Sequence, residues 1–182
     1  PATSTSSDTT SAEPRRQSEN ADAQGVSGEE SPSDTDTLDQ GSEVASSIYA
    51  LIQASSRDKA KIQAAAHELT SCGDLEDAAA TFDDAEASRN RLAERASELD
   101  LSTLPEAAPL VDELVQAWHY SAQADAAFAD AARYSPCDNS SSELSSASNL
   151  SKASHPHKDE AARLWNEIAP RFALPKITGA QL

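Results

Sequence analysis

From Leu75 to Leu99 the chain repeats every seven residues: Leu75, Phe82, Arg89 and Ala96 mark one line, and Ala78, Ala85, Leu92 and Leu99 interleave with it. An α-helix carries residues three and four apart on one face, so this heptad predicts a helix packed at a shallow angle, coiled-coil fashion, against other helices. The same spacing recurs on both sides. Val44, Ile48, Leu51, Ser55, Ile62, Ala66 and Leu69 predict a helix over about 43–71, and Val111, Leu114, Trp118, Ser121, Asp125, Phe128 and Ala132 predict one that ends near Tyr134. A fourth face runs through Leu144, Ala147 and Ser151 and resumes at Ala161, Leu164, Trp165, Ile168 and Phe172, with Pro156 between. Proline has no amide hydrogen and crowds the preceding turn, so either one kinked helix or two short ones is expected there, with Ser154 capping the restart.

The stretches between these faces carry turn chemistry. Gly73 is expected to close the first helix in the left-handed conformation, and Asp74 to cap the next, with Glu76 and Asp77 in its first turn. Residues 100–109 contain Pro105 and Pro109, and residues 135–142 read SPCDNSSS. Strand signals and internal repeats are absent. The predicted fold is all-α: an antiparallel up-down four-helix bundle over residues 43–177, with the fourth helix kinked or broken near Pro156 and residues 178–182 as a C-terminal tail.

Residues 1–42 break the pattern, being dominated by Ser, Thr, Asp, Glu, Pro and Gly with only Val26 and Leu38 as larger aliphatics. They are expected to be a disordered acidic linker, since so little apolar surface does not offset an ordering cost of about 1–2 kcal/mol per residue. The formal net charge of -17, from 31 acids against 14 bases, is spread over linker and bundle alike and repels phosphate backbones. Nucleic acid is therefore excluded as a partner. The chain has no methionine, opens on Pro1 and contains no apolar run long enough to span a bilayer. A removed signal peptide, a trimmed membrane anchor and a fragment of a longer chain would each give such a start, and the sequence does not choose among them.

Two cysteines test the topology. In an up-down bundle the first and third connections share an end, and Cys72 lies in one and Cys137 in the other. A Cys72–Cys137 disulfide is predicted, which places the domain in an oxidising compartment.

No constellation for chemistry stands out. Asp77, Asp83, Asp84 and Glu86 form an acidic run, but a helix splays such groups and no calcium-binding loop is present. His155 and His157 flank Pro156 without further ligands at zinc spacing. No Gly-x-Ser-x-Gly turn or glycine-rich phosphate loop occurs, so no catalytic residue, metal or cofactor is expected. Trp118, Tyr120, Trp165 and Asn166 are the candidate lining of a ligand pocket between the third and fourth helices, with core packing as the alternative reading of the aromatics.

The run ELTSCGDLEDAAATF from Glu68, SRNRLAERASELDLSTLP from Ser88, the helix-three tryptophan, the second cysteine and AARLWNEIAPRFALP from Ala161 together resemble an uncharacterised helical domain of actinobacterial extracytoplasmic proteins. The likeness covers about residues 43–177 and departs from that pattern at His155-Pro156-His157. It implies a helical domain behind a membrane segment or signal peptide and a low-complexity linker, and it implies no catalytic residues. The functional expectation is a non-enzymatic interaction or sensory module at the cell envelope with a protein partner there, and a small-molecule-binding bundle is the alternative.

Overall fold

A computed structural model of the chain describes residues 34–182; residues 1–33, and with them most of the expected linker, lie outside the described residues. All regular structure among the described residues is helical. It comprises α1 (Asp34–Arg57), α2 (Lys59–Ser71), α3 (Leu75–Ser97), α4 (Ala108–Tyr134) and α5 (Ser142–Ile168), with short 3-10 turns at Pro105–Ala107, Ala169–Phe172 and Gly179–Gln181. The long helices α3, α4 and α5 pack on one another in chain order and form a helical bundle with α1 and α2.

The helix expected over 43–71 begins earlier, at Asp34, and is interrupted at Asp58. Its face otherwise follows the predicted spacing, with Ile48, Leu51, Ser55 and Leu69 buried. Helix α2 ends as the turn chemistry requires but on a different residue. Cys72, not Gly73, takes the left-handed conformation (φ 58°, ψ 40°) and donates its N–H to the Glu68 carbonyl. Asp74 then caps α3, accepting the Asp77 N–H at 3.0 Å.

Helix α5 runs through Pro156 as one element, so the alternative of two short helices does not occur. Ser154 does not cap a restart; it is buried, and its hydroxyl donates to the Ser151 carbonyl at 2.7 Å. Pro156 leaves the Lys152 carbonyl without its helical donor, and both residues are exposed, so water can take that place. The true N-cap is Ser141, whose hydroxyl accepts the Leu144 N–H at 3.2 Å.

The core is divided in two. One cluster joins α1, the C-terminal half of α3, the N-terminal half of α4 and the end of α5 around Ile48, Leu114, Trp118 and Trp165. The other joins α2, the start of α3 and the end of α4 around Leu69, Phe82 and Ala129. At the far side of the second cluster, Cys72 and Cys137 form a disulfide, their Cα atoms 5.3 Å apart. At the far side of the first, Glu106 pairs with Arg171, and Gly41 lies so close to the connection before α4 that a Cβ there would meet the Thr103 carbonyl at 3.3 Å. No described helix is long and apolar enough to cross a membrane.

The chain beyond α5 folds back over that helix. The Asn166 side chain donates to the Ile177 carbonyl and accepts the Ile177 N–H, both at 2.8 Å, and so binds the returning segment as a neighbouring strand would. Trp165 Nε1 donates to the Pro175 carbonyl at 2.8 Å, and Ile177 and Leu182 are buried.

Candidate functional site

Between the two apolar clusters four of the helices carry polar residues on their inner faces: Ser55 at the end of α1, Arg89 on α3, Ser121 and Asp125 on α4, Ser154 and Lys158 on α5. The helical spacing that buries the neighbouring apolar residues carries these inward as well, because positions seven apart share a face. Arg89 Nε donates to Asp125 Oδ2 at 2.5 Å, with the side chains 12% and 5% exposed respectively. Burial pushes the Asp125 carboxyl above its ordinary value, against the pull of the Arg89 charge. Ser121, one helical turn from Asp125, has a buried hydroxyl with no hydrogen-bond partner among the described residues.

A cavity of about 410 Å³ opens at this level, lined by Ser55, Arg89 and Lys158 inside and by Lys59, Gln63, Asp159, Gly179, Ala180 and Leu182 around its rim. The break at Asp58 starts α2 afresh and brings Lys59 to the opening, where its amine donates to the Ala180 carbonyl. Gly179 lets this segment lie close to α5: a Cβ there would displace the Asp159 carboxylate and lie 3.2 Å from the Asp159 amide nitrogen. Lys158 is half-buried, and no hydrogen-bond or ion-pair partner falls to it among the described residues. Its pKa is lowered to about 8, first by burial and then by the Arg89 charge, with Asp125 opposing and Lys59 adding to the shift.

The residues singled out in the sequence lie elsewhere. Trp118 and Trp165 are both fully buried in the first apolar cluster; Trp118 Nε1 donates to Ser55 Oγ at 3.0 Å, and the Trp165 ring stacks on Tyr49 with centroids 5.6 Å apart. Asn166 holds the returning segment, and Tyr120 stacks on His157 at 5.4 Å. None of Trp118, Tyr120, Trp165 and Asn166 lines the cavity; Trp118 reaches it only through Ser55. The two histidines diverge, as residues two apart on a helix must: His157 Nδ1 lies 2.7 Å from Glu113 Oε2, and His155 stands at the cavity rim. In the acidic run, Asp83 pairs with Arg133 and Asp77 serves the α3 cap.

Arg89 of the cavity lining and its partner Asp125 do carry a sequence signal. Arg89 and Asp125 occupy seam positions in the periodicities of α3 and α4, and a charge on a seam needs a partner inside. Lys158 likewise falls on a seam, the seven-residue line through Leu144, Ser151 and Trp165, whereas Gly179–Leu182 follow the last helix and are marked by no spacing. No protein-family model, curated protein or solved structure matches the chain.

Proposed function

We propose that the described helices form an antiparallel up-down bundle, with α1 and α2 together as its first member, and that this bundle is a non-enzymatic interaction or sensory module working outside the cytoplasm at the cell envelope. Its acidic N-terminal segment is the tether, and a protein at the envelope is its partner. The observation that carries this reading is the Cys72–Cys137 disulfide. Such bonds persist in oxidising compartments and are rare where glutathione and thioredoxin keep thiols reduced. The topology is supported by the same pair, since it joins the turn after α2 to the turn after α4, and by the Glu106–Arg171 pair, which joins the start of α4 to the end of α5. We assign Trp118, Trp165 and Asn166 to the scaffold, because the indole N–H groups and the amide are used within the protein.

The test is thiol trapping in the producing cells: alkylation before lysis, then mass spectrometry. Recovery of the Cys72–Cys137 cross-linked peptide is expected. Recovery of both cysteines alkylated would defeat the assignment of compartment.

A further inference from the structure

The cavity between the two apolar clusters holds more hydrogen-bond donors than acceptors. Arg89 engages Asp125 through Nε alone, so its terminal amino groups remain for another acceptor. The Lys158 ammonium has no partner among the described residues, and the Ser55 hydroxyl accepts from Trp118 and keeps its own proton to donate. Lys59 adds a third cation at the rim, although its amine already donates to Ala180. Facing these stand the Asp125 carboxylate, engaged with Arg89, and the exposed Asp159. Counted over the side chains just named, three cations against two carboxylates leave about one positive charge here in a molecule of net charge -17. Ile62 and the buried Leu182 supply apolar wall beside it.

Leaving charged donors half-buried without an acceptor is costly, and an acceptor that carries one negative charge relieves that cost. A single excess charge suits a monoanion better than a phosphate dianion. We propose that this cavity binds a small organic monocarboxylate, its carboxylate held by Arg89 and Lys158 and its hydrocarbon body lying against Ile62 and Leu182. The site needs no particular compartment, so it stands or falls apart from the envelope reading. Lys158 is packed about by Arg89 from α3, Asp125 from α4, Lys59 from α2, and His155 and Asp159 from its own helix, with Glu86 acting on Asp125. Its ammonium is charged below about pH 8 and loses its proton above, so carboxylate affinity is retained on the acid side and falls as pH rises through that value.

The experiment is calorimetric titration of the oxidised full chain at pH 7 with butyrate, benzoate and inorganic phosphate as probes, repeated with K158M and with the exposed-lysine control K176M. Saturable binding of butyrate or benzoate is expected, tighter than that of phosphate, weakened about tenfold or more in K158M, as befits one charge-assisted hydrogen bond, and unchanged in K176M. Lys158 makes no bond that its removal would orphan, so K158M is expected to fold, and circular dichroism checks it. Absence of saturable carboxylate binding to the unaltered chain at millimolar concentration would overturn the proposal, as would phosphate binding at least as tightly or an equal loss in K176M.

Discussion

Arg89 and Asp125 lie where the apolar seams of α3 and α4 would otherwise place two hydrocarbon side chains. An ion pair in such a place recovers little net energy, because desolvation of both charges offsets their attraction; removing one partner is another matter. Replacing Asp125 by Asn keeps the shape and leaves the Arg89 cation buried without its counter-charge. Urea unfolding of Asp125→Asn is expected to show a loss of about 3 kcal/mol with the denaturant slope unchanged. The pair can also fix how α3 and α4 align, since a sliding of either helix by one turn would strand both charges. Cys72 and Cys137 show another residue-level choice. Both adopt the left-handed conformation, with φ 58° and 63°, which is ordinarily left to glycine, and each stands where a helix has just ended.

At the scale of the element, α5 departs most from what its sequence suggests. Its 27 residues include Pro156, which costs an isolated helix about 3 kcal/mol relative to alanine. Burial on both sides of the proline outweighs that: Ala147 and Ser154 precede it, and Ala161, Ala162, Trp165 and Ile168 follow, all packed into the molecule. The missing hydrogen bond falls on the exposed face, where water can substitute. Pro156→Ala restores the amide donor without removing buried surface, and thermal unfolding is expected to show stabilisation of about 1–3 kcal/mol. Helix α1–α2 makes the opposite compromise. It breaks at Asp58, beside the cavity, and the two parts serve different apolar clusters.

For the whole molecule, the disulfide joins residues separated by 65 positions, so it restricts the unfolded chain over all of α3 and α4. On the chain-entropy account that closure contributes about 4 kcal/mol. Cys72→Ser with Cys137→Ser is expected to lower unfolding free energy by roughly that amount while leaving the helical circular dichroism spectrum intact; both sulfurs lie at exposed residues, so no core is removed. The second apolar cluster, small and rich in alanine, is the part that such a change should loosen first, and hydrogen exchange would locate it there.

Much of this architecture was legible in the residues themselves. Helical class, the cap at Asp74, the end of α4 at Tyr134 and the partnership of Cys72 with Cys137 follow from spacing of three, four and seven and from turn chemistry, which act over a few residues and are written in order along the chain. The unbroken course of α5 through Pro156, the break at Asp58, the return of residues 175–182 onto Trp165 and Asn166, and the assembly of Arg89, Lys158 and Lys59 around one cavity, with Asp125 paired to Arg89, were decided only by the tertiary structure. Each of these depends on which surfaces meet across large separations in sequence, where burial and electrostatic pairing override local propensity and periodicity marks which residues face inward but not which of them meet.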